Sequence, residues 1–342
     1  MRSDDLEALW LRRNDPEVAR WQNWTLPYSR ESAERLVAGV TAMDGPANDD
    51  WWMATIADPA SDAAMGDLAL HLSWESRTAE IGYTLAREHW GKGYAVESAA
   101  ALVTYLFETV GVTRVFGMLH PANSASAMVL ERLGMRFEGH THGSFWVGDE
   151  NSDDWIYGTT REDWEAWRDR PRTRPAEVRL IEITDDNFDA VYGLATHKTQ
   201  ESFVAPVPRS LAQALIRPAD ATSVPWFRAI AADGEISGFV MLAMPHDVAK
   251  DAYLWRLLID RRHQRRGIAS LALDLVDDEV RRRGYPGIRV SWVDGKGSPA
   301  PFYEARGFIR TGEIHDGEAE ARKAYHSPPV GESTERSDVG GG

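Results

Sequence analysis

The sequence predicts an α+β protein of two tandem domains, each a mixed α/β sandwich in which a mixed sheet is flanked by helices. Three observations carry the prediction. The stretches "HWGKGYAVESAAALV" (89–103) and "HQRRGIASLALDLV" (263–276) each run from a polar approach through a glycine loop into an apolar helix. The order of elements around the two stretches is the same, although identity between the halves is low. Between them lies "RDRPRTRPAEV", where Pro171 and Pro175 break a charged stretch after the helix-like "TREDWEAWR", which reads as a linker.

In the first half, "WWMATIAD", "GDLALHLSW" and "AEIGYTLA" read as strands from their alternation, followed by the loop and the helix "YAVESAAALVTYLFETV". Strand "RVFGMLH", helix "SASAMVLERLG" and strand "MRFEGHT" follow. The second half repeats the order with "PWFRAIAAD", "EISGFVMLAMP" and "AYLWRLLID", then the loop, helix "IASLALDLVDDEVRRRG", strand "GIRVSWVD", helix "SPAPFYEARG" and strand "FIRTGEI". The resulting boundaries are a first domain over 1–170, a linker over 171–176, a second domain over 177–325, and a tail over 326–342 whose Pro, Gly and Ser content predicts disorder.

Composition excludes several classes. A chain of 342 residues, 43% hydrophobic, suffices for two cores of ordinary size. No apolar run approaches the roughly 18–20 residues that span a bilayer, and "MRSDDLEALW" lacks the basic and apolar parts of a signal peptide, so no membrane partner is expected and the chain reads as cytoplasmic. With no cysteine there is no disulfide, thiolate nucleophile or Cys zinc site. The net charge of −15 argues against nucleic-acid binding, which needs a basic face.

Chemistry first shows in the loops. In Trp90-Gly91-Lys92-Gly93-Tyr94-Ala95 and Gln264-Arg265-Arg266-Gly267-Ile268-Ala269, small residues at a strand-to-helix junction let backbone N–H groups point into one concavity at a positive helix end, a geometry that holds a pyrophosphate. Lys92, Arg265 and Arg266 are expected to add charge at the rim. "GKGYA" lacks the Ser or Thr of a Walker loop, and Val96 stands where a dinucleotide fingerprint needs a small residue. The plain alternative is a glycine turn that merely caps a helix.

The pattern [Q/R]-x-x-G-x-[G/A] between strand and long helix resembles the acetyl-CoA loop of the GNAT acetyltransferase superfamily, and the element order of both halves fits that fold. The resemblance implies two GNAT-type acyl-CoA N-acyltransferase domains, acetyl-CoA as cofactor, and an amine as acceptor. It also implies cofactor contacts from Leu85, Leu258 and Ile259 at the ends of the strands before the loops, and from Asn123. The first half, through "AEIGYTLAREHWGKGYAVES", "NSASAMVLERLGMRFEGH" and "DDWIYGTTREDW", is similar to the Rim-type enzymes that modify ribosomal-protein termini. It departs at Trp90, where Gln or Arg is usual, and it lacks the usual first strand, so either an upstream start is missing or the sheet has lost an edge. The second half, through "QESFVAPVPRSLAQAL", "LWRLLIDRRHQRRGIA" and "GSPAPFYEARGFIRTGEIHDGE", resembles diamine and spermidine acetyltransferases.

An alkylamine of pKa about 10.4 lies about three units from neutrality at pH 7, a cost of about 4–5 kcal/mol, whereas an α-amino group of about 7.7–8.0 costs only about 1 kcal/mol. A proton must therefore be removed from the amine, and another delivered to the departing sulfur. Tyr303 stands where the resemblance places a proton-donating phenol, with core packing as the alternative. Ser126 is the local hydroxyl of the first half, equally readable as a helix-start residue. Glu80, at the strand before the first loop, and Glu201, in "TQESFVA", are the candidate bases or amine-binding carboxylates; Asp260 reads as a turn residue. His89 and His263 read as exposed loop histidines with no second ligand at metal spacing, so no metal is expected. Trp226 and Trp255 are core or pocket-lining residues. The expected partner is a small-molecule amine or a peptide N-terminus, the assembly a monomer or homodimer. The second domain, with Tyr303, is the better candidate for turnover; the alternative gives one domain, more readily the first, a non-catalytic role.

Overall fold

The computed structural model describes residues 1–147, 149–216, 221–295 and 297–325; the tail expected to be disordered lies outside them. The described residues form two compact units, one of Met1–Arg170 with His197–Thr199, the other of Pro171–Thr196 with those from Gln200 to Tyr325.

The first unit begins with α1 (Leu6–Arg13), α2 (Pro16–Ala19) and α3 (Arg30–Thr41), then β1 (Trp51–Ala57), β2 (Ala64–Ser73), β3 (Thr78–Leu85), α4 (Tyr94–Tyr105), β4 (Arg114–Leu119), α5 (Ser124–Arg132), β5 (Arg136–Val147), β6 (Glu150–Thr160) and α6 (Arg161–Asp169). Its six strands lie in the order β1-β2-β3-β4-β6-β5. Helix α4 buries Ala99, Leu102 and Val103, a three-to-four-residue spacing, against Leu70, Leu72, Ala79 and Ile81 of the sheet. One wide π turn over Leu106–Val110 extends it before left-handed Gly111, so the single helix expected to 110 ends in two parts.

The second unit runs β7 (Val178–Ile181), α7 (Phe188–Tyr192), α8 (Val207–Leu215), β8 (Ser223–Ala232), β9 (Glu235–Pro245), β10 (Ala252–Ile259), α9 (Ile268–Arg282), β11 (Gly287–Trp292), α10 (Ala300–Ala305), β12 (Ile309–His315) and β13 (Glu318–Ala324). Its seven strands lie in the order β12-β13-β11-β10-β9-β8-β7. Helix α9 places Ile268, Ala272, Leu273, Val276 and Val280 along one buried stripe. Strand β7 has no counterpart among the described strands of the first sheet.

Strand β13 was not among the expected elements. Its "EAEARKA" alternates charge with alanine rather than with large apolar residues, and it is ordered by pairing between β11 and β12. Among the described residues, no helix is long and apolar enough to cross a membrane.

Candidate active site

Each sheet has one parallel strand pair, and each pair parts. Strands β3 and β4 share the rungs Thr78–Arg114, Ala79–Val115 and Glu80–Phe116, and β10 and β11 share Ala252–Ile288 and Tyr253–Arg289. Beyond those rungs each strand stays paired only on its outer side: β3 with β2 to Leu85, β4 with β6 to Leu119, β10 with β9 to Ile259, and β11 with β13 to Trp292. The sheet therefore opens into a wedge whose facing backbone groups have no ladder partner and are available to an extended polar ligand.

At the end of β3 and of β10 the chain turns into a helix by the same backbone route. Gly91 (φ +74°) and Gly93 (φ +90°) are left-handed in the first loop; Arg265 (φ +65°) and Gly267 (φ +79°) are left-handed in the second. Gly93 and Gly267 each precede the first residue of a helix, and no side chain caps either helix. The N–H groups of the first turns of α4 and α9 are thus left to a ligand at the positive end of the helix dipole. A Cβ at Gly91, Gly93 or Gly267 would meet nothing within 4 Å, so backbone conformation rather than crowding favours glycine there.

A side chain ties each loop to its strand. The indole Nε1 of Trp90 donates to the Leu85 carbonyl at 2.9 Å, and Nε2 of Gln264 donates to the Ile259 carbonyl at 3.2 Å, each spanning five residues. The departure at Trp90 thus keeps the bond that Gln264 makes. Gln264 also exchanges hydrogen bonds with Gln200, at 2.8 and 3.2 Å, which brings the segment before Glu201 to the loop. Glu201 itself is exposed.

The remaining loop residues divide. Lys92 and Arg265 are exposed at the rim, while Tyr94, Ala95 and Ala269 are half-buried and Ile268 is buried. Arg266 departs from its expected place at the rim: it is 5% exposed, and its guanidinium donates to the Thr173 carbonyl at 2.9 Å and to Nδ1 of His263 at 3.0 Å. It anchors the loop from beneath, and only its backbone can face a ligand. His263 is likewise buried rather than exposed, because that guanidinium and Glu235, 3.5 Å from Nε2, enclose the ring. Burial pushes its pKa down, in keeping with a neutral imidazole that accepts from Arg266. His89 is half-buried against the ring of Tyr94. Leu85 and Leu258 are buried and Ile259 packs against the core, so these three offer a ligand their backbones. Asp260 is a buried turn residue that accepts from the Ala195 and Arg262 amides.

The candidate proton-handling groups surround the wedges. Glu80 occupies the last rung of the first parallel pair, opposite His71 of β2. Burial raises its pKa; His71 opposes that rise and Asp154 reinforces it. Ser126 is engaged: its hydroxyl lies 2.8 Å from the Tyr83 hydroxyl, which also donates to the Ser126 carbonyl at 2.9 Å, while its amide donates to Oδ1 of Asn123 at 3.2 Å. Asn123 therefore caps α5. In the second unit Tyr303 is buried and stacked on Trp292, the last residue of β11, at 5.5 Å between centroids. Its hydroxyl has no hydrogen-bond partner among the described residues, and burial pushes its pKa up, which keeps it protonated. Trp226 is buried under the guanidinium of Arg228, and Trp255 packs half-buried at a bulge in β10.

Two residues at the wedges were not singled out from sequence. Tyr83, on β3, reaches Ser126, and Tyr253 fills the rung that Glu80 fills in the first unit. The Tyr253 hydroxyl lies 2.6 Å from Oγ of Ser291, which in turn donates to Glu318. Both tyrosines lie in strands that the sequence marks, but only the strand register reveals what they face.

The family model described as Acetyltransferase (GNAT) domain matches residues 1–136, and that described as Acetyltransferase (GNAT) family matches 178–308. The uncharacterized N-acetyltransferase p20 of Bacillus licheniformis is 31% identical over 143 residues, covering 41% of this chain and 78% of that protein. The uncharacterized N-acetyltransferase YoaA of Bacillus subtilis is 29% identical over 136 residues, covering 40% and 76%. A solved spermidine N-acetyltransferase from Vibrio cholerae, in complex with CoA and spermine, aligns over 48% of this chain and 95% of its own with 18% identity and a TM-score of 0.43.

Proposed function

Because this chain belongs to the GNAT acetyltransferase family, with two such domains and acetyl-CoA as its acyl donor, we propose that both domains bind acetyl-CoA and that the chain acetylates a primary amine by direct attack in a ternary complex. The observation that carries this reading is the recurrence, in both units, of an uncapped helix N-terminus behind a loop with two left-handed residues, beside a parted strand pair. The donor set fits: loop and first-turn N–H groups suit a pyrophosphate, and the unpaired wedge edges suit the amide-bearing arm that follows it.

Acetyl-CoA supplies the acetyl group as an activated thioester. The amine nitrogen forms the new bond to the acetyl carbon as the bond to sulfur breaks, so one proton leaves nitrogen and one reaches sulfur. In the first domain Glu80, through water, takes the amine proton; its raised pKa makes it a better match to that task than an ordinary surface carboxylate. In the second domain Tyr303 donates to the departing sulfur, its hydroxyl proton uncommitted to any partner among the described residues and held by a pKa that burial raises. Glu201 contributes charge to the amine-binding side, and the acceptor for this domain is a di- or polyamine.

One observation favours a second reading, in which the first domain binds acetyl-CoA without turning over. Leu130 stands four residues before left-handed Gly134, as Tyr303 stands four before left-handed Gly307, and Leu130 is buried. Release of CoA thiol from acetyl-CoA by the intact protein, against spermidine, short diamines and N-terminal peptides, tests the proposal. Saturable release with one amine class supports it, and silence across the panel with acetyl-CoA still bound refutes the acceptor class.

A further inference from the structure

The geometry points to a divalent transition-metal site, of the kind that takes zinc, formed by His140, His142 and Asp153 on the β5–β6 hairpin of the first unit. One ligand atom from each of the three residues lies within 4.8 Å of the others. Nε2 of His140 and Nδ1 of His142 both face the same Asp153 oxygen, Oδ2, at 2.8 and 3.0 Å. The two imidazole rings are 4.3 Å apart between centroids. Two ligands at about 2.0–2.1 Å from a tetrahedral zinc are about 3.3 Å apart, so only small side-chain adjustments separate this arrangement from a coordinated one.

The backbone explains why the three converge. The register of β5 on β6 passes from Thr141–Asp154 directly to Phe145–Ser152, so three residues of β5, 142–144, oppose Asp153 alone. His140 and His142, two residues apart on β5, already share one face of the strand, and the bulge curls that stretch over Asp153. Gly143 is left-handed (φ +60°), and a Cβ there would lie 2.9 Å from Oδ1 of Asn151. Its amide donates to Oδ1 of Asp153 at 2.9 Å, which leaves Oδ2 turned to the imidazoles. Such a bond from outside the ligand set is what orients a ligating carboxylate.

Two imidazoles and one carboxylate suit zinc, nickel, cobalt or copper(II) rather than magnesium or calcium, which prefer all-oxygen sets. His142 is largely exposed and the other two are partly so, leaving room for water at the remaining coordination positions. The site is separate from the acetyl-CoA loops and does not rest on the proposed reaction. Its ion would clamp the two strands where the backbone ladder is interrupted.

Titration of the full, tag-free chain with Zn²⁺ by calorimetry tests the inference. We expect one Zn²⁺ bound at this site, not displaced by excess Mg²⁺. His140→Ala/His142→Ala should weaken that binding by at least about 100-fold, more than the loss of an outer partner costs, with an unchanged circular dichroism spectrum. Asp153→Asn, which keeps an acceptor for the Gly143 amide, should weaken it while preserving the hairpin. Absence of Zn²⁺ binding, or binding undiminished in both variants, would overturn the assignment.

Discussion

The two loops follow one backbone path with different side chains. Gly91 and Arg265 take the same left-handed position, Trp90 and Gln264 make the same bond back to the strand, and α4 and α9 both start uncapped. The groups at the proposed reacting end differ: the last parallel rung carries Glu80 in one unit and Tyr253 in the other, and the following helix carries Leu130 or Tyr303. Cofactor binding by backbone N–H groups depends on main-chain geometry and tolerates many side chains, whereas proton transfer depends on one functional group at one place. Two domains can therefore share the first and diverge in the second.

The comparison breaks most sharply at Tyr303. Tyr303→Phe should lower second-domain turnover by about 10²–10⁴-fold, the range for loss of a general acid, and leave acetyl-CoA affinity unchanged, as read from steady-state rates beside a binding titration. Turnover that survives would return Tyr303 to a packing role against Trp292 and Phe308.

Glu80→Gln should lower first-domain turnover by about 10²-fold or more. Acting as a base, Glu80 works only when ionised, so the rate should fall as pH drops through a pKa above the ordinary glutamate value, and the pH–rate profile of the variant should lose that limb. The stability effect has the opposite sense. A carboxyl raised by burial binds its proton more tightly in the folded state, so its contribution is lost as pH rises past the unfolded value, and the variant should unfold no lower than the parent at pH 7.

Smaller effects sharpen the likeness of the loops. Trp90→Phe and Gln264→Ala each remove one side-chain bond to the strand end, worth about 1 kcal/mol, so each should weaken acetyl-CoA binding about fivefold at its own domain in a titration. Arg265→Gly relieves a side chain from the left-handed region and should not lower the midpoint of thermal unfolding, whereas Gly91→Ala should cost about 1–2 kcal/mol.

Much of this was legible in the sequence. Alternation located β1–β4 and β8–β11, and three-to-four-residue apolar spacing located α4 and α9, because each buries one face. Strand β13 escaped because the two residues it buries are a small alanine, Ala321, and a glutamate: Glu320 is held by Arg289 of β11 and Thr311 of β12, partners that only the folded sheet supplies. The burial of Arg266 and His263 was hidden for the same reason, since the Thr173 carbonyl that receives the guanidinium lies 93 residues away. Tyr83 and Tyr253 were hidden because strand register alone decides which residue stands where the parallel strands part.

Both loops are proposed to hold acetyl-CoA. The most direct test is calorimetric stoichiometry for the intact chain, for Gly93→Asp and for Gly267→Asp, since aspartate tolerates a left-handed backbone better than most residues yet sets a negative charge where the pyrophosphate would lie. The intact chain should bind two acetyl-CoA, and either variant one. A single site in the parent, abolished by one substitution and untouched by the other, would contradict that proposal.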